Sequence, residues 1–494
     1  MGQTTLIPRP PLGGEGEHHI DAHPVNSKEM RALYKKREPI YPKLTHGRFR
    51  ALKWAAMVVL LAIYYVTPWL RWDRGPFRPD QAVMVDFEHR RFFFFFIELW
   101  PQEVYYITGL LILAALGIFL AAALFGRVWC GYACPQTVWT DLYIYVERWI
   151  EGDRNERMRL AKAPMSASKA GKKLAKHLIW LLIALATGGA WVFYFADAPT
   201  LFRELFTGQA SVGAYLFVGI LTFTTYSLAG AMREQVCIYL CPWPRIQAAM
   251  TDQDALNVTY RGDRGEPRGA HKKGESWEGR GDCIDCRQCV AVCPQGIDIR
   301  DGDQLECINC ALCIDACDDI MHKVERPTGL IAYDTSLNVE RRARQEKPRI
   351  RLIRPRTVLY AALMVGVGAF MLFELAHRQT LSLDVIRDRN PPFVRLSTGE
   401  VRNNYSLKIL NMAPRMRHVA IEVEGLPGVR LQDGDAQGRV LSSAIPDGVE
   451  TVRVHLISAG LAAETAPLRF RVTDLQTGER AEHASAFMIG SVTP

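Results

Sequence analysis

The chain has 494 residues, of which 49% are hydrophobic and 23% charged, and its formal net charge is +8. This length is enough for two or three folded units. The basic residues cluster beside apolar runs, a distribution that encodes membrane orientation, so the positive charge does not indicate a nucleic-acid partner.

Five apolar runs are long enough to cross a bilayer, and we predict a membrane-spanning helix at each. The runs are Ala51–Leu70, Val104–Phe125, Leu178–Ala196, Val212–Met232 and Thr357–Ala376. Lysine and arginine are concentrated before the first run, between the second and third, and before the fifth. The positive-inside rule therefore predicts a cytoplasmic N-terminus and a C-terminus on the opposite side. The lipid bilayer is an expected partner.

The predicted fold class is mixed, with five segments in chain order. These are a cytoplasmic tail (1–50), four membrane helices with two CxxxCP motifs (51–250), a cytoplasmic ferredoxin-like insert with two clusters (251–356), a fifth membrane helix (357–377) and an external β-sandwich (378–494). Within the insert, Thr251–Asp282 is polar and glycine-rich, and we interpret it as a linker or a flexible lead-in. In the last segment, Leu468, Phe470 and Val472 alternate with arginines, and similar period-two runs predict the sandwich.

Eight of the twelve cysteines lie in two copies of the spacing CxxCxxCxxxC. In two-cluster ferredoxins the fourth cysteine of each copy ligates the other cluster. We therefore expect two [4Fe–4S] clusters. The ligands of one are Cys283, Cys286, Cys289 and Cys317, and those of the other are Cys307, Cys310, Cys313 and Cys293. Structural zinc is disfavoured because it uses four ligands in paired knuckles.

The other four cysteines form two CxxxCP motifs, one after the second apolar run and one after the fourth. The motifs are Cys130/Cys134 before Pro135 and Cys237/Cys241 before Pro242. Residues four apart share one face of a helix, so we expect each pair to present two thiols side by side and the two pairs to converge. Soft thiolates select Cu(I), which makes these four cysteines candidate catalytic and metal-binding residues with copper as substrate.

Other interpretations of the CxxxCP motifs remain open. The cysteines can be buried structural residues that behave as small hydrophobes. The protein can instead be a quinol-linked membrane electron relay, or a non-enzymatic assembly scaffold or copper carrier. The sequence contains no dinucleotide fingerprint or phosphate-binding loop, so we expect electrons to come from another protein or a quinol, without identifying the donor. The oligomeric state, homo-oligomers included, also stays open.

Several longer motifs resemble one known family, the cytochrome c oxidase accessory proteins called CcoG, FixG or RdxA. They are IYP at Ile40–Pro42, GRVWCGYACPQTVWTD at Gly126–Asp141, REQVCIYLCPWPRIQ at Arg233–Gln247, the double ferredoxin motif, and NYSLKILN at Asn404–Asn411. The resemblance implies a protein of the bacterial inner membrane that reduces Cu(II) to Cu(I) during assembly of a cbb-type oxidase. It also implies oxidase subunits or assembly factors as partners, a periplasmic immunoglobulin-like domain, and a copper site at the CxxxCP cysteines.

Overall fold

Five helices among the described residues are long and apolar enough to cross a membrane, which confirms the predicted spans. The computed structural model describes residues 18–26, 38–76, 78–272, 274–435, 437–459 and 465–489. The spans, numbered 1 to 5, are Arg48–Trp69, Pro101–Phe125, Ala167–Val192, Val212–Met232 and Pro355–Ala376. Span 3 begins well before the predicted Leu178 because the lysine-rich segment is itself helical, and its first turn is capped by the Ser166 side chain, which accepts from the Lys169 amide.

The α-helices follow one another from the first span to the last. In chain order they are α1 Arg48–Val66, α2 Tyr105–Phe125, α3 Val128–Tyr132, α4 Pro135–Glu151, α5 Arg154–Lys162, α6 Ala167–Val192, α7 Ala198–Thr207, α8 Val212–Thr225, α9 Trp243–Met250, α10 Gly262–Gly265, α11 Gln288–Ala291, α12 Leu312–Lys323, α13 Ser336–Ala343 and α14 Pro355–Ala376. Of two π-helical segments, Tyr226–Met232 precedes the second CxxxCP motif and Val236–Leu240 contains its first cysteine. Such segments are rare and often occur at functional sites.

The strands of the described residues form four sheets. In chain order they are β1 Val83–Asp86, β2 Arg91–Phe94, β3 Ile97–Leu99, β4 Asn257–Tyr260, β5 Ile331–Asp334, β6 Leu381–Arg387, β7 Val394–Arg395, β8 Val401–Asn411, β9 Arg417–Glu424, β10 Val429–Leu431, β11 Val440–Ala444, β12 Gly448–Ser458, β13 Thr465–Asp474 and β14 Arg480–Met488. Strands β1, β2 and β3 form a small antiparallel sheet that includes the aromatic run before span 2.

The C-terminal region is the predicted β-sandwich. One sheet has the order β10-β12-β8-β6, with β7 also paired to β8, and the other has the order β11-β9-β13-β14. The predicted alternation of buried and exposed side chains is present in β13. Leu468, Phe470 and Val472 are buried in the core, while Arg469 is exposed. Apolar residues of both sheets, Leu407 and Ile421 among them, form that core.

The chain divides into two compact units. One is formed by the chain up to Arg71 together with Gln81–Ala369, and the other by Trp72–Asp80 together with the chain from Phe370 onward. The first unit contains all twelve cysteines. The second contains the sandwich, to which Arg78 of the short segment is joined by an ion pair with Asp447 at 2.6 Å.

The interpretation of Thr251–Asp282 as a linker is wrong. Asn257–Tyr260 pairs with Ile331–Asp334 in antiparallel register, and Ala255, Val258 and Tyr260 are buried. The segment is rich in glycine and charged residues, so its composition did not indicate a strand. The strand depends on a partner that is distant in the sequence. The cysteine-rich insert is therefore closed by a β-ribbon joining its first and last parts.

Candidate redox site

The two ferredoxin-type loops have the same backbone. In the first loop Asp285 and Arg287 adopt the left-handed conformation, with φ of 52° and 55°. In the second loop the equivalent residues Asn309 and Ala311 have φ of 51° and 60°. Alternation of right- and left-handed residues turns successive backbone N–H groups toward one side, which creates a concavity suited to an anionic group such as an iron–sulfur cluster.

Each predicted ligand set lines one cavity. Cys283, Cys286, Cys289 and Cys317 line a small cavity together with Ile284 and Leu330. A second small cavity is lined by Cys293, Cys307, Cys310 and Cys313, with Cys289 also at its wall. The fourth cysteine of each motif is therefore placed with the other motif, as the crossed pattern requires.

The chemistry of these cavities suits [4Fe–4S] clusters. Burial raises the pKa of Cys286 to about 11 and that of Cys307 to about 12, so both thiols are protonated until metal replaces the proton. Backbone N–H groups of Gln288 and Asn309 partly offset this by hydrogen bonding to the two sulfurs. Thiol donors, apolar walls and inward amides together match cluster ligation.

A buried cation lies beside the first ligand set. Arg300, in the short 3-10 turn Ile299–Asp301, places one guanidinium nitrogen 4.0 Å from the Cys283 sulfur. Its side chain is only 5% exposed and is paired with Asp298 at 2.7 Å and Asp285 at 2.5 Å. A fixed positive charge at this distance favours a more negative cluster.

The two CxxxCP motifs have matching backbones. The residue four positions before the first cysteine of each motif has a positive φ. This residue is Gly126 in the first motif, with φ of 58°, and Arg233 in the second, with φ of 46°. A short helical segment follows in each motif; it contains Cys130 in the first motif and Cys237 in the second. The second cysteine is extended in both motifs, with ψ of 127° at Cys134 and 121° at Cys241.

The expectation that each CxxxCP pair lies on one helix face is wrong. Cys134 is the N-cap of α4, and Pro135 is the first residue of that helix. Proline has no N–H and a fixed φ, so it is favoured at a helix start and forces the preceding residue into an extended conformation. The chain therefore turns between the two thiols of each motif.

The first CxxxCP motif packs directly on the second ferredoxin loop. Cys130 belongs to a buried cluster with Ile308 and Cys310. The Tyr132 hydroxyl donates to the Cys310 carbonyl at 3.0 Å. A Cβ atom at Gly131 would approach the Ile308 carbonyl oxygen to 2.6 Å, so only glycine allows this contact.

The second CxxxCP motif also reaches the ferredoxin loops. Cys237 lines a small cavity together with Pro294 and Ile308. Gln136, which follows Pro135, donates to the backbone carbonyls of Leu228 and Arg233 at 2.8 and 3.1 Å. The two motifs are thereby joined to each other as well as to the insert.

The four CxxxCP thiols form a partly buried, mutually interacting group. Burial raises the pKa of Cys130 to about 11 and that of Cys237 to about 12. Cys134, Cys130 and Cys241 add to the shift at Cys237, so the four sulfurs lie within electrostatic range of one another. Across the described residues, however, no three His, Cys, Asp or Glu side chains are close enough to hold a single metal ion.

Gln247 completes the surroundings of the first motif. It is fully buried, and its Oε1 accepts a hydrogen bond from the Cys130 sulfur at 3.0 Å. Its Nε2 has no hydrogen-bond partner. Sequence reasoning quoted Gln247 only as the end of a family motif and gave it no role. No sequence signal marks this residue, because its contact with Cys130 depends on tertiary packing.

Buried charges hold these elements together. Asp315, between Cys313 and Cys317 on α12, accepts from the backbone amides of Phe49 and Arg50 at 3.2 and 2.7 Å and so caps span 1. The Arg50 guanidinium then pairs with Asp141 of α4 at 2.9 Å. The ferredoxin insert, span 1 and the first CxxxCP motif are thus tied through side chains that sequence reasoning did not single out.

These features define a membrane-anchored iron–sulfur protein with two ferredoxin-type centres and a C-terminal immunoglobulin-like domain. The family model for a 4Fe-4S dicluster domain matches residues 232–336, and that for a 4Fe-4S binding domain matches residues 107–153. A third model, described as an IG-like fold at the C-terminal of FixG, matches residues 371–490.

The chain belongs to the FixG/RdxA family. It is 51% identical over 470 residues to "Nitrogen fixation protein FixG" of Rhizobium meliloti (strain 1021), covering 88% of this chain and 90% of that protein. It is 51% identical to "Protein RdxB" and 54% identical to "Protein RdxA" of Cereibacter sphaeroides, covering 98% and 85% of those proteins and 93% and 81% of this chain. The crystal structure of a FixG-related protein from Vibrio parahaemolyticus matches 22% of this chain and 96% of its own, with 26% identity and a TM-score of 0.20. The family and its 4Fe–4S domains make the chain a membrane iron–sulfur oxidoreductase.

Proposed function

We propose that the protein reduces Cu(II) to Cu(I) at the four CxxxCP cysteines, as a step toward copper-centre assembly in a cbb-type oxidase. The observation that supports this most is the contact between Cys130 and the ferredoxin loop that contains Cys310. When bound, the two [4Fe–4S] clusters supply one-electron storage beside the thiols. Their proposed ligands are the two sets of four cysteines described above.

The thiols act on copper through their softness and their burial. Thiolate ligands stabilise Cu(I) relative to Cu(II), which prefers nitrogen and harder ligands. Copper must displace protons from Cys130 and Cys237, because both thiols have raised pKa values. The four CxxxCP sulfurs are not close enough to hold one ion, so copper binding requires the cysteine side chains to rotate toward one another. The half reaction is Cu(II) plus one electron giving Cu(I), and the electron comes from a quinol or a reduced protein.

The distribution of basic residues supports an orientation. We place the N-terminus, the ferredoxin insert and the CxxxCP motifs at the cytoplasmic face of the bacterial inner membrane, with the sandwich in the periplasm. Cu(I) would then be produced on the cytoplasmic side. Oxidase subunits or assembly factors are the proposed partners.

The test is Cu(II) reduction by the purified, cluster-loaded protein, followed with a Cu(I)-specific chelator after chemical reduction and removal of excess reductant. We expect Cys130→Ser/Cys134→Ser and Cys237→Ser/Cys241→Ser to lose copper reduction while keeping their iron and sulfide. Tyr239→Phe, at an exposed position inside the second motif, is the matched control and should behave as the parent. Parental rates in both double variants would disprove the copper site.

A second candidate function is electron relay through a third cluster on the four CxxxCP cysteines. The observation that favours it is the match of a 4Fe-4S binding family to residues 107–153, a range whose cysteines are Cys130 and Cys134. The two functions differ in iron content. A relay with three clusters would contain about twelve irons per chain and lose four in either double variant, whereas the copper site predicts about eight irons in all of them.

A further inference from the structure

An open apolar cavity of about 490 Å³ lies among spans 1, 3 and 4 and helix α7. Its walls include Trp69, Phe193, Phe206 and Leu185, and a Cβ atom added at Gly189 would meet no other atom within 4 Å. Small-molecule sites typically measure roughly 300–1,000 Å³ and combine apolar walls with a few polar groups. This cavity has the size and the walls of such a site.

The hydroxyl oxygen of Tyr65, at the cavity wall, can accept a further hydrogen bond. The Thr187 hydroxyl donates its single proton to the Ile183 carbonyl at 2.8 Å and accepts from Trp139 Nε1 at 3.0 Å. The Tyr65 hydroxyl lies 2.7 Å from the same oxygen, so Tyr65 is the donor in that bond. The lone pairs of the Tyr65 oxygen are left to accept a hydrogen bond from a ligand that carries a hydroxyl group.

The same residues connect the cavity to the first CxxxCP motif. Trp139 stands on α4, the helix that Cys134 caps, and the Val138 amide donates to the Cys134 carbonyl at 3.0 Å. The Thr137 hydroxyl donates to the Cys130 carbonyl at 2.6 Å. Tyr64 packs edge-on against Trp139, with ring centres 5.2 Å apart. Packed and hydrogen-bonded groups are therefore continuous from the cavity to the thiols.

We propose that this cavity binds a membrane quinol that donates the electrons for the thiol site. The inference rests on the proposed function insofar as copper reduction requires an electron donor. A quinol hydroxyl would donate to the Tyr65 oxygen while the isoprenoid tail occupies the apolar walls. A phospholipid acyl chain would fit the walls but has no hydroxyl for Tyr65.

The overall reaction balances with two copper ions for each quinol. QH2 plus two Cu(II) gives Q, two Cu(I) and two protons. Both O–H bonds of the quinol break, the protons go to water, and each Cu(II) gains one electron. The quinol is the reductant and Cu(II) the oxidant, so no further reactant is needed.

Binding is tested with decylubiquinone in detergent, by quenching of tryptophan fluorescence, because Trp69 lines the cavity. We expect saturable quenching in the parent and at least about tenfold weaker binding in Gly189→Leu, whose side chain fills the cavity. Tyr65→Phe should bind about threefold to tenfold more weakly, the effect of one hydrogen bond. Gly219→Leu is the control, since a Cβ there also meets nothing within 4 Å and Gly219 does not line the cavity.

Electron entry is tested separately from copper reduction. Decylubiquinol should reduce the clusters of the parent and of Gly219→Leu, but those of Gly189→Leu at least about tenfold more slowly. Clusters reduced chemically beforehand should pass electrons to Cu(II) at parental rates in every one of these variants. Equal quinol binding by parent and Gly189→Leu, or a phospholipid retained in the cavity with no quinol oxidation, would overturn the quinol site. Failure of the chemically reduced parent to reduce Cu(II) would instead overturn the copper proposal and leave the quinol result standing.

Discussion

The Cys130 sulfur donates a hydrogen bond to Gln247 Oε1 at 3.0 Å, in a region from which water is excluded. The Nε2 atom of the same amide is buried and has no hydrogen-bond partner. Rotation of the amide by half a turn would present an N–H group to the sulfur. Gln247 can therefore accept from a protonated thiol and donate to a thiolate.

The first prediction concerns this amide. Gln247→Leu removes both hydrogen-bonding options and leaves the Cys130 thiolate without a donor when copper binds. We expect copper affinity to fall about threefold to tenfold, the effect of one lost hydrogen bond, with iron content unchanged. Titration with a Cu(I) chelator of known affinity measures this. Arg245→Gln, on the same helix, is the control, and an unaltered affinity in Gln247→Leu would exclude a role for the amide.

The second prediction concerns the buried cation at the first cluster site. Arg300→Gln removes the buried cation that pairs with Asp298 and Asp285 beside Cys283. Adding an electron there becomes less favourable, so the reduction potential should fall by on the order of tens of millivolts. An EPR-monitored redox titration measures the shift, and the other cluster should change less. Arg280→Gln, which lines neither cluster cavity, should leave both potentials unchanged.

The third prediction concerns the buried carboxylate of Glu147 on α4. It is paired with Arg233 at 2.7 Å, Arg157 at 3.1 Å and Lys176 at 3.3 Å. Glu147→Gln removes the carboxylate that these three cations share, although Lys176 keeps its ion pair with Glu151 at 3.1 Å. We expect the free energy of unfolding to fall by about 3–5 kcal/mol. Thermal unfolding in detergent measures this. Glu156→Gln, at an exposed helix start, should cost about 1 kcal/mol or less.

The pH dependence of this network has a definite sign. Burial opposes ionisation of Glu147, but Arg233, Lys176 and Arg157 outweigh it and lower its pKa from 4.5 to about 2. A lowered pKa in the folded state stabilises the protein above the unfolded value. That stabilisation should be complete above about pH 4.5 and decline as the pH falls toward 2. Glu147→Gln should remove this part of the acid sensitivity.

The fourth prediction concerns the contact between the first CxxxCP motif and the ferredoxin loop. Gly131→Ala places a methyl group 2.6 Å from the Ile308 carbonyl, so the backbones must separate. We expect a loss of stability of about 1–3 kcal/mol and slower copper reduction by the pre-reduced protein. Gly171→Ala, where a Cβ meets no atom within 4 Å, should be neutral or slightly stabilising. Unchanged stability and rate in Gly131→Ala would show that this close approach is dispensable.

The sequence predicts those parts of the molecule that depend on local pattern. Apolar length predicted the five spans, alternation predicted strands such as the one containing Phe470, and cysteine spacing led to the two ferredoxin loops. The pairing of Asn257–Tyr260 with Ile331–Asp334 was missed because its partner is distant in the chain. The extended conformation of Cys134 was missed because the two cysteines of the motif are four residues apart, which suggested one helix face. The following Pro135 favours the extended conformation and could have indicated it. Gln247 and the cavity beside Tyr65 depend on tertiary packing alone.

The matching turns at Gly126 and Arg233 have become specialised in different ways. At Gly126 a side chain would overlap Asn257 and Asn309, so this turn is shaped to receive the cysteine-rich insert. Arg233 adopts a similar strained conformation but uses its side chain to reach Glu147. The first turn thus contacts the cysteine-rich insert, and the second is anchored to α4 by an ion pair. Exchanging the two turn sequences should abolish both attachments at once, since neither copy contains what the other requires.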